Sequence, residues 1–364
     1  MKLPKLHIGN FVADKPIIQG GMGVGVSMAN LASAVANQGG IGVLSSVALG
    51  MIHPEKGQNY REANREGLRY EIREARKLSD GIIGINVMVA ITDFDDIVKV
   101  AIDENIDIIF MGAGLPLKVP KTVSFDKFFN SGTKLGVIVS SSRAARLIFK
   151  SWGRKFNYIP DIVVVEGPKA GGHLGFALDE IDDPNFALEK ILPEVISVVD
   201  RYEKEYNKNV PVIAAGGIFD GKDIYKMMKL GASGVQIGTR FVATEECGVD
   251  QSFKDAYISA KKDDIQIIES PVGLPGRAIS NKFLSDVAQG VRPDFKCNWK
   301  CLKTCDYKTA PYCIADALTN AKNGDLDNGF AFAGTNAYRV NEIVSVKQLF
   351  TTLINEFEQA QELA

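Results

Sequence analysis

Apolar and polar positions along the first 245 residues alternate in blocks rather than residue by residue. Eight short apolar runs stand out: PIIQ (16–19), IGVLSS (41–46), GIIGINVMV (81–89), DIIFM (107–111), KLGVIVS (134–140), DIVVVEG (161–167), VPVIAAGG (210–217) and SGVQIGT (233–239). Most are rich in Val and Ile and lack period-two alternation, as expected for parallel strands covered on both faces. Amphipathic segments lie between them. MANLASAVANQGG (28–40) ends in a glycine pair, a helix stop signal. In YREANREGLRYEIREARKLS (60–79), Leu68, Ile72 and Ala75 mark one apolar face and charges cover the other. Segments 94–105, 141–152, 186–206 and 220–232 continue the pattern. Eight β/α units predict an α/β chain built on a closed (β/α)8 TIM barrel, with an open doubly wound sheet as the rival.

Beyond residue 244 the rhythm stops. Residues 245–330 hold short helical pieces, Gly/Pro turns such as SPVGLPGRA (270–278) and all five cysteines. They predict a small, mostly helical inserted subdomain. In 331–364 a loop leads into an amphipathic helix whose Val346, Leu349, Leu353 and Phe357 recur at three- and four-residue spacing, which packs it back on the barrel. The expected divisions are therefore 1–244, 245–330 and 331–364.

Composition adds exclusions. The chain has 46% hydrophobic and 24% charged residues, an ordinary balance for a soluble protein. A net charge of −2 makes no electrostatic case for nucleic acid or an anionic membrane. No apolar stretch reaches the roughly 18 residues of a membrane span, and the start MKLPKLHIGNF lacks the apolar core of a signal peptide. A cytoplasmic protein with reduced cysteines is expected.

Barrel chemistry sits at the carboxyl ends of the strands. Those ends carry Gln19 followed by Gly21 and Met22; Asn86; Glu166 followed by Gly171, Gly172 and His173; Gly216 and Gly217; and Gln236, Gly238 and Thr239. Glycine lets a ligand approach the backbone and its N–H groups. The glycine turns after the seventh and eighth strands form a phosphate cradle, helped by a helix N-terminus. Asn86, Glu166 and Gln236 suit the polar edge of a ring. A phosphorylated, ring-bearing ligand is implied, and FMN fits; GGMGVG is not a dinucleotide fingerprint. His173 is the candidate catalytic group, and His7 and His53 are not expected to act.

Residues 297–313 read CNWKCLKTCDYKTAPYC. On a helix, Cys297, Cys301 and Cys305 would share one face, and with Cys313 four thiolates would suit zinc or an iron–sulfur cluster. The plainer reading is four reduced thiols packed as small apolar groups, with no metal.

The segments QGGMGVG, GINV, EGPKAGGHLGF, IAAGGI and GVQIGTRF, in this order, resemble the nitronate monooxygenase family, formerly called 2-nitropropane dioxygenases. The FMN-dependent enoyl-acyl-carrier-protein reductases are close relatives with the same outline. The resemblance covers most of residues 10–245 and the final helix. It implies that Asn86 holds the flavin, that Gly171, Gly217 and the Gln236–Thr239 segment bind its ring and phosphate, and that His173 is the base at the flavin face. In AFAGTNAYRV (331–340), Gly334 matches a family Ala-Gly-Gln loop, but Thr335 stands in place of the glutamine. Glu166 stands where nitronate monooxygenases carry glutamine and the reductases tend to carry glutamate. Ala170 is the residue of the nitronate branch.

The resemblance thus implies oxidation of alkyl nitronates, or nitroalkanes, with dioxygen. His173 would remove the α-proton or hold the nitronate; an ordinary imidazole suits either role near neutral pH. The alternative is an NAD(P)H-dependent reductase acting on an enoyl thioester. Its acidic acyl carrier protein would need a basic landing patch, for which Lys150, Arg154 and Lys155 are candidates beside the plainer reading of a solvated segment. The expected partner is a small-molecule substrate, and a homodimer is compatible with the sequence.

Overall fold

The computed structural model describes residues 3–297 and 299–363. The chain opens with a hairpin, β1 (Leu6–Ile8) and β2 (Phe11–Ala13). All eight apolar runs then become parallel strands: β3 (Ile17–Gln19), β4 (Gly42–Ser45), β5 (Ile83–Met88), β6 (Ile108–Gly112), β7 (Lys134–Val139), β8 (Ile162–Glu166), β10 (Val212–Ala215) and β11 (Gly234–Ile237). The two-residue strand β9 (Gly172–His173) interrupts the series, and β12 (Ile265–Glu269) and β13 (Pro275–Ile279) follow it.

Helices α1 (Ala29–Asn37), α2 (Leu49–Ile52), α3 (Tyr60–Leu78), α4 (Phe94–Asp103), α5 (Phe125–Asn130), α6 (Ser142–Phe156), α7 (Leu188–Tyr206) and α8 (Gly221–Lys229) lie between the strands. After β11 come α9 (Thr239–Val242), α10 (Gln251–Ser259), α11 (Lys282–Ala288), α12 (Ile314–Lys322) and α13 (Val346–Glu362). Local chemistry sets several starts. Asn59, Ser141 and Ser345 cap α3, α6 and α13 with side-chain oxygens that accept backbone N–H groups.

The strand order is β3-β11-β10-β8-β7-β6-β5-β4. The ring closes where Ile18 bridges Ile41: Gln19 N donates to Ile41 O and Ile41 N to Ile17 O, both at 3.0 Å. The sequence expectation of a TIM barrel is met. Strand parity explains the unbroken apolar runs. Ile18, Val43, Phe110, Val164 and Ile213 pack inside the ring, with Leu6, Ile8 and Ala13 of the hairpin. Ile17, Leu44, Ile109, Val163 and Val235 face the helices in a second, larger core. Both faces are dry, so no polar alternation survives.

Residues 245–330 depart from the mostly helical expectation. Beside α10, α11 and α12 they hold an antiparallel hairpin, β12–β13, and long irregular stretches. β13 also pairs with β9, setting Gly276 opposite His173 and Arg277 opposite Gly172. Phe283, Tyr312, Ile314 and Phe330 form a small separate core. Helix α13 buries the expected Val346, Leu349, Leu353 and Phe357 and packs against α8 and α1 of the barrel. No helix among the described residues is long and apolar enough to cross a membrane.

Candidate active site

The carboxyl ends of the strands open into a cavity of about 550 Å³, within the range typical of small-molecule sites. Parity delivers its polar groups. Ile162 and Val164 face the barrel interior, so Glu166 is the next inward residue of β8. Val235 and Ile237 face outward, so Gln236 points in; Ile85 and Val87 do the same for Asn86. Register sets Ala215 beside both Glu166 and Gln236. Asn86 Nδ2 donates to Gly21 O at 2.9 Å, which fixes the first turn against β5. Met22 joins the same wall, its sulfur next to Gly238.

Gln19 is a correction. It has the outward parity of Ile17 and is fully buried. Its Oε1 accepts from Val43 N at 3.0 Å, and its Nε2 donates to Ser27 Oγ at 2.7 Å and to Gly20 O. Both ends of the amide are spent on the seam of the barrel, leaving nothing for a ligand.

The turn after β10 takes Gly216 and Gly217 through φ values of +90° and +85°. A Cβ on Gly216 would lie 2.7 Å from Gly167 O, so only glycine fits. Asn336 Nδ2 donates to Gly217 O at 2.7 Å, and Gly334 N to Thr239 Oγ1 at 3.1 Å, so the 331–336 loop holds both glycine turns together. The N-terminus of α8 is already used up, whereas that of α9, which follows Gly238, carries no side-chain cap. On α8, Glu356 accepts from Gly221 N and Asp220 from Asp223 N, both at 2.9 Å. An anion there is left to the turn amides and the start of α9; Arg240 and Arg339 stack on Phe219 at 4.6 and 4.2 Å, outside the cavity wall, and Arg339 is paired with Asp220 at 2.6 Å.

The AGGH loop is clasped from three sides. Arg277, itself buried, donates to Ala170 O at 2.7 Å and to Pro168 O. A Cβ on Gly171 would meet Ala333 C at 2.5 Å, so this loop touches the 331–336 loop backbone to backbone. Thr335 N donates to Lys169 O at 3.2 Å, while its buried hydroxyl has no partner among the described residues. Gly172 has φ +77° with open space where a Cβ would stand.

His173 Nε2 lies 2.7 Å from Ser270 Oγ, and its ring meets Phe332 edge-on at 5.0 Å. Burial pushes the imidazole down to about 4, so it is neutral at pH 7. Glu166 moves the opposite way: burial alone pushes its carboxyl up to about 7. The expectation of an ordinary imidazole is thereby corrected. Sequence reading missed Ser270 and Arg277; SPVGLPGRA registered only as turn residues.

The cysteine stretch carries no helix among its described residues, and among the described residues no group of three or more His, Cys, Asp or Glu side chains is placed to hold a metal. Instead it straps the cavity: Leu302 bridges Ile91, Thr92 N donates to Cys301 O at 3.0 Å and Lys303 N to Ala90 O at 2.9 Å. Lys150, Arg154 and Lys155 are exposed on the last turns of α6. That end is joined by a few residues to the amino end of β8, and Lys155 Nζ lies 3.5 Å from Leu117 O in the loop after β6. Their charges complement the helix terminus. His53 pairs with Glu71 at 2.7 Å, and Glu71 accepts from Ala29 N, a structural role.

A sequence model of the nitronate monooxygenase family matches residues 6–109 and 89–356. A (3aS,4S,5R,7aS)-5-hydroxy-7a-methyl-1-oxo-octahydro-1H-indene-4-carboxyl-CoA dehydrogenase of Mycobacterium tuberculosis is 28% identical over 279 residues, covering 77% of this chain and 67% of that relative. A probable nitronate monooxygenase of Bacillus subtilis is 27% identical, covering 95% of this chain and 97% of its own. Among solved structures, FabK from Thermotoga maritima is 28% identical with a TM-score of 0.72, covering 95% of this chain and 94% of that one.

Proposed function

Because the chain belongs to the nitronate monooxygenase family and is an oxidoreductase of that kind, we propose that it binds FMN at the barrel mouth and oxidises alkyl nitronates with dioxygen. The residues present suit FMN. Two glycine turns and the uncapped start of α9 suit its phosphate, and the inward Asn86, Gln236 and Glu166 suit a ring with both donors and acceptors. Gly21, Met22, Gly171, Gly172 and Gly238 leave a wall flat enough for a ring to lie against, and Thr239 and Gly334 brace the phosphate end. When bound, FMN supplies the electron-accepting ring, and dioxygen is the final oxidant.

The neutral His173 carries the choice of substrate form. A base with a pKa of about 4 is poorly matched to taking a proton from a neutral nitroalkane at pH 7. An imidazole held neutral beside Ser270 can donate a hydrogen bond to the nitro oxygens of a nitronate that is already an anion. The anion would in turn favour the protonated ring, drawing the imidazole pKa back up. Glu166, neutral over much of the same range, can donate to an acceptor on the ring.

The likeness to FabK favours a second reading, an NAD(P)H-dependent enoyl-thioester reductase. One experiment separates the two. The purified protein should show flavin absorbance and consume oxygen with ethyl or propyl nitronate in the absence of NAD(P)H. NAD(P)H oxidation that requires an enoyl thioester, without nitronate-driven oxygen uptake, would replace the first reading by the second.

A further inference from the structure

We propose that Asp93 and Tyr60 form a recognition site across the cavity from His173, which takes the hydrogen-bond-donating end group of an elongated, otherwise apolar substrate. The inference deepens the function proposed above and rests on it. In a ring of eight strands, β4 stands four places from β8 and β5 stands three. The chain leaving β4 and β5 therefore faces the AGGH loop across the mouth. It brings Tyr60, Asn64 and Asp93 to the wall of the same cavity that His173 lines.

Asp93 is 4% exposed and Asn64 2%. Asn64 Nδ2 donates to Asp93 Oδ2 at 2.7 Å while Asn64 Oδ1 accepts from Gly50 N, so the amide is anchored at both ends and fixes the carboxyl in place. Among the described residues, the other donor acting on that carboxyl is the backbone N–H of Asp93 itself. Arg61 gives some opposing charge, but burial outweighs it and raises the carboxyl pKa. A buried carboxyl with this little support is costly unless something else donates to it.

The groups around it are apolar or neutral. Tyr60 packs on Trp299 with ring centroids 5.0 Å apart and the planes tilted by 38°; its phenol is undissociated and within hydrogen-bonding reach of Asn64. Cys301, whose thiol is pushed up to about 11 by burial, is likewise uncharged. Ile91, Leu302, Ile314 and Leu318 complete the wall. Three of those four come from the late segment, and the strap that carries Leu302 is pinned to the loop after β5. An apolar trough therefore ends on a carboxyl and a phenol. A chain ending in a hydroxyl or an ammonium satisfies both.

The test compares two ligands of equal length, heptyl-1-nitronate and 6-hydroxyhexyl-1-nitronate. Binding to the anaerobic holoenzyme is measured by calorimetry and oxidation by oxygen uptake. The hydroxyl-ended ligand should bind about tenfold more tightly, as one hydrogen bond to a carboxylate yields. In Asp93→Leu that preference should fall to within about twofold, and Tyr60→Phe, which keeps the ring against Trp299, should lose part of it. Equal affinities in the unmodified protein, tighter binding of the methyl-ended ligand, or no heat with either would overturn the site. A retained binding preference without oxidation of either ligand would overturn nitronate turnover and leave the site standing.

Discussion

His173 Nε2 and Ser270 Oγ lie 2.7 Å apart although 97 residues separate them in sequence. The serine sits in the turn between β12 and β13, and the histidine belongs to β9, the third strand of that small sheet. Orientation of the imidazole is thus a property of the late hairpin and not of the barrel. Ser270→Ala should leave the ring free to turn about its side-chain bonds. The expected loss is about 1 kcal/mol of stability and roughly three- to tenfold in kcat/KM for nitronate. Oxygen-uptake kinetics together with the imidazole signals in NMR would check this; unchanged kinetics would remove Ser270 from the site.

His173 and Glu166 predict opposite responses of stability to pH in the ligand-free protein. The folded pKa of His173 lies below its unfolded value of 6.5, so the native state binds fewer protons and its stability rises with pH between about 4 and 6.5. The folded pKa of Glu166 lies above its unfolded value of 4.5, so its contribution favours the native state at low pH and fades between 4.5 and about 7. The two slopes oppose each other over most of that window. Glu166→Gln should therefore be stabilised relative to the parent above pH 7, by up to about 3 kcal/mol, with no gain below pH 4.5. His173→Asn should gain relative stability only as the pH falls below 6.5. Urea unfolding of each variant at pH 4.5, 6 and 8 reads both signs.

Gln19 separates stability from ligand binding. Gln19→Leu strips partners from Val43 N, Gly20 O and Ser27 Oγ at the place where the barrel closes, and should cost about 2–4 kcal/mol. Because the side chain does not reach the cavity, the flavin that remains bound should be held with its parental affinity, read by fluorescence titration below the unfolding transition.

Gly216→Ala should do the reverse. The added methyl meets Gly167 O at 2.7 Å and a φ of +90° disfavours it, so the turn must move. Strain of about 1–3 kcal/mol and a tenfold or greater loss of FMN affinity are expected, with riboflavin, which has no phosphate, affected less. An equal loss for both flavins would place the phosphate elsewhere.

The sequence carried the barrel plainly, because a strand buried on both faces must be apolar at every position, and eight such runs leave few alternatives. It also carried Asn86, Glu166 and Gln236, which are polar interruptions at the ends of those runs. Gln19 looked the same in one dimension, and only its parity in β3 sets it apart. The hairpin β12–β13 was hidden because IQIIE and PGRAI are short and flank a glycine–proline turn, and part of the pairing of β13 lies with the two residues of β9. The cysteines invited a helical reading through spacing alone. No apolar periodicity supported it, and the segment follows the edge of the loop after β5 instead.

The partner of His173, the strap over the cavity and the loop bridging the two glycine turns are all made after residue 245. On a ribosome adding roughly 5–20 residues per second, His173 emerges some 5–20 seconds before Ser270 does. Every nascent chain thus passes through a stage with all eight barrel strands synthesised before the hairpin that orients His173, the strap along the cavity and the loop joining its glycine turns exist.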